Sequence, residues 1–240
     1  MKKMKNEGIV GMKLIAFAVV MASGVGCLSY SYGQYARRAE GARVLPEGVL
    51  PRKGRIYFVS FPENKLAISL WGWEPNIGHA SLVTKNGEGR VRQYDYGWFV
   101  GGGRGRPRDA IGYVNEDESY GVVRRKEFSA AVAAKATNDL ALAEMVLGHM
   151  GGYGEKVEVW ATDVADVGIA ERYMENFAAD EGRGSMAWRC WQIGGYRCGN
   201  ITRQAFDAAR GEGHFLDLLW GGFPGADAPS IGTEKTVFEK

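Results

Sequence analysis

The segment GHASLVTKNGEGRVRQYDY, residues 78–96, carries two strand-like runs on either side of a turn. Residues 79–84 and 90–96 are rich in β-branched, aromatic and aliphatic side chains, and residues 85–89 between them are typical turn formers. The pattern predicts a β-hairpin whose two strands carry His79 and Asp95.

The length of the hairpin loop determines whether His79 and Asp95 meet. A loop of three or five residues predicts that His79 lies directly opposite Asp95, with β-carbons about 4.5–5.5 Å apart. The carboxylate then accepts a hydrogen bond from one imidazole nitrogen, and the other nitrogen is free to act as a base. A two-residue Asn86-Gly87 turn instead shifts the register by one residue and directs Asp95 to the opposite face.

Strand and helix patterns are mixed along the rest of the chain. Further strands are predicted at residues 55–61, 66–71, 120–128 and 156–161. Helices are predicted at residues 129–150, 163–179 and 198–210. The residues expected at helix ends are Ser129, Thr162 or Asp163, and Gly211. Together with 35 glycines that follow no fixed period, these patterns favour an α+β fold.

The composition fits one globular domain with irregular ends. The chain has 240 residues, of which 45% are hydrophobic and 24% charged, so it is too apolar for general disorder. A formal net charge of +2 gives no electrostatic reason to expect nucleic acid as a partner. We expect the folded domain over residues 54–223, a linker at 37–53 and a flexible tail at 224–240.

The first 36 residues have the charge pattern of an export signal. Four lysines precede residues 14–36, which contain no charged side chain and begin with a continuously apolar run. This order predicts a cleaved signal peptide, a membrane anchor helix or a lipoprotein signal with lipidation at Cys27. In each case we expect export to the periplasm or cell envelope, with membrane association through residues 14–36 where they are retained.

Cys198 lies at the predicted start of the last helix. Unpaired backbone amides and the helix dipole stabilise a thiolate at such a position, and the thiolate is the nucleophilic form. A thiolate beside an imidazole that a carboxylate orients has the parts of a cysteine hydrolase or acyltransferase, and first-turn amides can hold an oxyanion. The candidate catalytic residues are therefore Cys198, His79 and Asp95.

Three short motifs surround these residues: Gly78-His79-Ala80-Ser81-Leu82-Val83, Tyr94-Asp95, and Tyr196-Arg197-Cys198-Gly199-Asn200. With the histidine before the cysteine, they resemble the circularly permuted NlpC-type papain-like cysteine hydrolases over about residues 54–211. The resemblance implies a permuted papain-like α+β fold, with a small antiparallel sheet packed against helices, and a triad of Cys198, His79 and Asp95. It also implies amidase, peptidase or thioester-type chemistry on a substrate such as a peptidoglycan peptide, which exported members of the superfamily commonly cleave.

Two other functions are consistent with the same residues. The permuted superfamily resembles lecithin retinol acyltransferase in motif order, which implies acyl transfer or lipid deacylation as an alternative. Cys190 lies near Cys198 in the chain, and a disulfide between them would persist in an exported protein. The chain would then be a non-enzymatic envelope module that binds peptide, glycan or protein through an aromatic surface.

No metal and no cofactor is predicted. The sequence has no Cys-x-x-Cys or His-Glu-x-x-His spacing, and the glycine-rich residues 101–105 are not followed by the Lys-Ser or Lys-Thr of a phosphate loop. His149 and His214 are expected near helix ends in structural roles. Several aromatic residues near the motifs either line a groove or pack in the core: Trp71, Trp73, Trp98, Phe99, Trp188, Trp191 and Tyr196.

Overall fold

An antiparallel sheet forms the centre of this α+β fold. The computed structural model describes residues 35–63, 78–97, 110–111, 122–150, 154–181, 198–211 and 233–239. The sheet strands in these ranges are β1 (Gly54–Phe61), β2 (His79–Asn86), β3 (Val91–Gly97), β4 (Ala110–Ile111), β5 (Val122–Glu127), β6 (Lys156–Val164) and β7 (Glu234–Glu239). Their order is β4-β5-β3-β2-β1-β6-β7, and every neighbouring pair is antiparallel.

Helices cover both faces of the sheet. The described helices are α1 (residues 35–43), α2 (Ala130–Ala133), α3 (Asp139–His149), α4 (Val167–Glu181) and α5 (Cys198–Arg210). Successive strand residues point to opposite faces, so Phe58 and Leu82 join a core with α1, α4 and α5, whereas Val59 and Val83 join a core with α2 and α3. None of the helices in the described ranges is long and apolar enough to cross a membrane.

The predicted hairpin forms from β2 and β3, but its register differs from the predicted one. Ser81, not His79, lies opposite Asp95. The loop has three residues, but they are 87–89, one position later than the loop 86–88 that would pair His79 with Asp95. Gly89 adopts the left-handed conformation with φ 82°, and the Asn86 side chain accepts hydrogen bonds from two backbone amides of the turn (3.1 and 2.9 Å). The register differs by two residues, an even number, and therefore keeps His79 and Asp95 on the same face.

The segment 129–150 forms two helices rather than the single predicted one. The Asn138 side chain accepts a hydrogen bond from the backbone N–H of Ala141 (2.9 Å) and caps α3. Ser129 precedes α2 but makes no side-chain cap hydrogen bond. The break follows from the tendency of asparagine to bond nearby backbone groups, which competes with helix continuation.

Helix α4 begins four residues after the predicted position, because pairing with β1 extends β6 as far as Val164. Thr162 and Asp163, the expected caps, therefore lie in β6. The cap is Asp166, whose Oδ1 accepts hydrogen bonds from the backbone N–H groups of Gly168 (2.9 Å) and Arg52 (3.0 Å).

Two segments that were expected to be irregular contribute to the fold. Residues 35–43 overlap the expected linker at 37–53, yet they form α1 and bury Tyr35, Ala39 and Ala42. The Arg172 side chain donates from Nε to the carbonyl of Ala42 (2.7 Å) and joins α1 to α4. Strand β7 lies within the expected tail at 224–240 and pairs with β6. The buried apolar residues of α1 other than Tyr35 are small, and β7 has only Val237 and Phe238 as apolar residues, so the order of both segments depends on partners distant in the chain.

Several predicted features lie outside the described residues. They are the signal and Cys27 in residues 1–34, the strand at 66–71, the glycine-rich loop at 101–107, Cys190, His214 and the aromatic residues Trp71, Trp73, Trp98, Phe99, Trp188, Trp191 and Tyr196.

Candidate active site

His79 opens β2 and is buried, with 6% of its surface exposed. Gly78 before it has φ 69°, a left-handed conformation that glycine adopts without strain. Phe61 lies opposite His79 on β1 and stacks on the imidazole, with ring centroids 6.1 Å apart. Nε2 of His79 lies 3.2 Å from Oδ1 of the buried Asp95. The imidazole is thus fixed on one face by an aromatic ring and at one nitrogen by a carboxylate.

Cys198 is the first residue of α5 and is a buried, free thiol. Thr202, about one turn into α5, donates a hydrogen bond from Oγ1 to the carbonyl of Ala80 (3.5 Å), which holds the helix beside the beginning of β2. The Cys198 side chain is hydrogen-bonded to His79. Nε2 of His79 faces Asp95, and we assign Nδ1, the other ring nitrogen, to the contact with the sulfur.

The charge state of His79 reflects these two partners. Burial by itself lowers the pKa of His79, because it disfavours the charged imidazolium. The negative charge of Cys198 and the hydrogen bonds with Asp95 and Cys198 act in the opposite direction and prevail, raising the pKa of His79 to about 10. With a pKa of about 10, His79 is in the imidazolium form at neutral pH.

The beginning of α5 is also suited to a developing negative charge. The backbone N–H groups of the first turn have no acceptor within the helix, and the positive end of the helix dipole lies at Cys198. Residues 198, 199 and 201–208 are all buried, so the helix runs through the interior rather than over the surface. An oxyanion at this position would be stabilised in surroundings that exclude most water.

Two polar residues that were not among the predicted site residues, Ser81 and Gln93, surround Asp95. Ser81 donates a hydrogen bond from Oγ to Asp95 Oδ1, and Gln93 donates from Nε2 to Asp95 Oδ2 (3.2 Å). Both residues are fully or almost fully buried. The signal available in the sequence was the period-two spacing of His79 and Ser81 on one strand and of Gln93 and Asp95 on the next, which places four polar side chains on one face.

The other described histidine belongs to the scaffold. His149 ends α3, and its Nδ1 lies 2.9 Å from the carbonyl of Met145 in the same helix. Phe128 meets its ring edge to face, with centroids 5.0 Å apart. Within the described ranges, no three His, Cys, Asp or Glu side chains are grouped so that they could hold a metal ion.

A buried ion cluster holds the opposite face of the hairpin. Glu171 of α4 accepts hydrogen bonds from Thr84 Oγ1 (2.8 Å), from Arg52 (2.7 Å) and from Arg92 (2.8 Å). These contacts join α4 to β2 and β3, the two strands that carry His79 and Asp95. The cluster therefore supports the backbone of the candidate site without contacting its side chains.

The geometry brings together the three candidates expected from the sequence, from three separate elements of the chain. Comparison with protein-family models, with curated proteins and with solved structures found no match to this chain.

Proposed function

We propose that this chain is an exported cysteine hydrolase with a permuted papain-like fold. Cys198 is the nucleophile, His79 the general base and acid, and Asp95 the residue that orients His79. The observation that carries the proposal is that His79 is hydrogen-bonded both to Asp95 and to the thiol at the first residue of α5. The thiol is activated as a nucleophile when it contacts an imidazole that a carboxylate orients.

Acylation begins from the thiolate of Cys198 and the imidazolium of His79. The sulfur attacks the carbonyl carbon of an amide, a C–S bond forms, and the carbonyl electrons move onto the oxygen. Nδ1 of His79 then gives its proton to the leaving nitrogen, the C–N bond breaks, and the amine departs. The acyl group remains on Cys198 as a thioester, while Asp95 keeps its hydrogen bond to Nε2.

Deacylation uses the same groups in reverse. The neutral Nδ1 of His79 removes a proton from a water molecule, whose oxygen adds to the thioester carbon. The C–S bond breaks, the carboxylic acid product leaves, and the thiolate and imidazolium are restored. In both steps, the tetrahedral oxyanion is stabilised by the first-turn amides of α5.

The proposed target is an amide or peptide bond in a peptidoglycan peptide. Two sequence features support this choice: the signal-like residues 1–36, which favour a location in the cell envelope, and the motif resemblance to NlpC-type hydrolases. Transfer of an acyl group to an acceptor other than water, or deacylation of a lipid, follows from the same thioester and is the second proposed activity.

Turnover of a substrate panel tests the proposal and separates the two activities. The full chain is incubated with purified muropeptides and with acyl lipids, and products are identified by mass spectrometry. We expect cleavage of a muropeptide amide, its loss in Cys198→Ala and His79→Ala, and wild-type rates in His149→Gln. Full turnover by Cys198→Ala would overturn the proposal. Turnover of acyl lipids alone would replace amide hydrolysis by the second proposed activity.

The non-enzymatic alternative requires a disulfide between Cys190 and Cys198. Cys198 is a free thiol in the structure, which supports the enzymatic proposal over this alternative. The intact mass of the purified, non-reduced protein after alkylation counts its free thiols. We expect Cys198 to be alkylated, whereas a Cys190 to Cys198 bridge would support the binding module.

A further inference from the structure

Ser81 and Gln93 form a hydrogen-bonded chain around Asp95. Ser81 lies opposite Asp95 in the β2–β3 ladder and is 0% exposed, and Gln93 is 1% exposed. Gln93 Nε2 lies 3.2 Å from Asp95 Oδ2 and 3.3 Å from Ser81 Oγ, and Ser81 Oγ donates to Asp95 Oδ1. Oδ1 of Asp95 is also the atom that contacts Nε2 of His79.

The direction of every hydrogen bond in this chain follows from the donors available. An ionised carboxylate can only accept, so Gln93 must turn its amide nitrogen toward Asp95. Ser81 accepts from that nitrogen and therefore gives its single proton to Asp95. Because Asp95 accepts at both oxygens, His79 must hold a proton on Nε2, which agrees with the assignment of Nδ1 to Cys198.

The side-chain carbonyl of Gln93 supports this assignment. Oε1 of Gln93 is buried without a hydrogen-bond partner. Leaving a buried acceptor unsatisfied is unfavourable, and rotating the amide would offer that oxygen to Ser81. The rotation would also place the Gln93 oxygen against the carboxylate of Asp95, where two acceptor oxygens repel each other. In the observed orientation, the Gln93 amide nitrogen donates to Asp95, and the Gln93 carbonyl oxygen is left without a hydrogen bond.

We propose that Ser81 and Gln93 are positioning residues, which hold the Asp95 carboxylate aimed at Nε2 of His79 and so keep Nδ1 directed at Cys198. The inference rests on the proposed function, because it assigns these residues to the same thiol and imidazole. Neither residue contacts the sulfur or the substrate; each acts through Asp95.

Other ionisable groups share this face of the sheet and stay in place when Ser81 or Gln93 is changed. They include Arg124 and Lys126 on β5, which lie opposite Asp95 and Gln93, Lys85 on β2, Arg55 and Tyr57 on β1, Asp139 and His149 on α3, and Asp163 on β6. A changed pH profile in a Ser81 or Gln93 variant is therefore due to the chain around Asp95.

The test is the rate at which iodoacetamide alkylates Cys198 in the full chain, measured from pH 5 to pH 10 and followed on the peptide that contains Cys198. We expect Ser81→Ala and Gln93→Leu to lower the rate at pH 6 about tenfold, which corresponds to a shift of about one pH unit. Ser81→Thr retains the hydroxyl and is expected to restore the wild-type profile.

Thr84→Val is the matched control. Thr84 lies on the same strand as Ser81 and also donates a buried hydroxyl to a buried carboxylate, that of Glu171. We expect it to lower the free energy of unfolding while the alkylation profile stays that of the wild type. A shift in Thr84→Val as large as that in Ser81→Ala would mean a general effect of lost packing and would overturn the inference.

His79→Ala separates the failure of this inference from the failure of the proposed function. Loss of alkylation at pH 6 in His79→Ala, with wild-type profiles in Ser81→Ala and Gln93→Leu, would overturn the positioning roles alone. A wild-type profile in His79→Ala would overturn the proposed thiolate and imidazolium pair, and the positioning roles with it.

Discussion

Nε2 of His79 lies 3.2 Å from Oδ1 of Asp95, although the two residues are not opposite each other in the β2–β3 ladder. Ser81 occupies the position opposite Asp95, and His79 reaches the carboxylate along the diagonal of the ladder. Diagonal neighbours are about 7–8 Å apart at the backbone, which is within the reach of an imidazole and a carboxylate. The geometry therefore leaves room for Ser81 to bind the same oxygen.

Asp95→Asn tests the role of the carboxylate charge. The substitution keeps the shape of the side chain but replaces an oxygen that accepts with a nitrogen that donates, next to the donors Ser81 and Gln93. We expect the hydrolysis rate to fall at least about tenfold, but less than in His79→Ala, where about 10²–10⁴-fold is typical for loss of an acid–base group. Initial rates on the active muropeptide measure both. Equal rates in wild type and Asp95→Asn would contradict an orienting carboxylate.

The protonation of His79 can be followed directly by NMR titration of ¹⁵N-labelled histidine. Because the pKa of His79 is raised from 6.5 to about 10, the imidazolium should persist as the pH increases past 6.5 and disappear only toward pH 10. Cys198→Ala removes one of the groups that raise the pKa of His79. The midpoint should therefore fall, because burial disfavours the imidazolium. His149→Gln and His214→Gln assign the signals of the other two histidines. A midpoint near 6.5 in the wild type would contradict the ion pair.

Glu171→Gln tests whether the ion cluster on the opposite face is structural. The substitution leaves Arg52 and Arg92 beside a neutral amide in a partly buried site, so we expect a loss of about 2–3 kcal/mol of unfolding free energy. Urea denaturation measures the loss. The alkylation profile of Cys198 should be unchanged at temperatures where the variant is folded, and a shifted profile would show that the cluster also acts on the site.

Ala42→Leu tests the packing of α1, most of which lies in the expected linker at 37–53. Ala42 is 0% exposed, and a larger side chain there must displace its neighbours, at a cost of about 1–3 kcal/mol. Val44 is 66% exposed and supplies the control, since Val44→Leu should change stability by less than about 0.5 kcal/mol. Equal thermal midpoints for the two variants would contradict a packed α1.

Much of the site was predictable because it depends on local patterns. The β-branched and aromatic run at 55–61 predicted β1, and the turn formers at 85–89 predicted the hairpin. The residues before Gly211 predicted α5 with Cys198 at its beginning, and Gly211 has the left-handed φ of 78° expected there. The α+β class follows from the same patterns.

The parts that were missed depend on contacts between distant segments. The hairpin register was set by the conformation of Gly89 and the side-chain hydrogen bonds of Asn86, which composition alone does not fix. The start of α4 was displaced by pairing between β1 and β6. Ser81 and Gln93 show no special pattern apart from strand alternation, and their importance is visible only once β2 and β3 are paired.

The most direct test of the central claim is the pH dependence of Cys198 alkylation by iodoacetamide in the wild type and in His79→Ala. The proposed pair predicts a thiolate that already reacts at pH 6 in the wild type, and a reaction in His79→Ala that requires a pH near the value of about 8.5 typical of a free thiol. Identical profiles for the two proteins would contradict the claim that His79 activates Cys198.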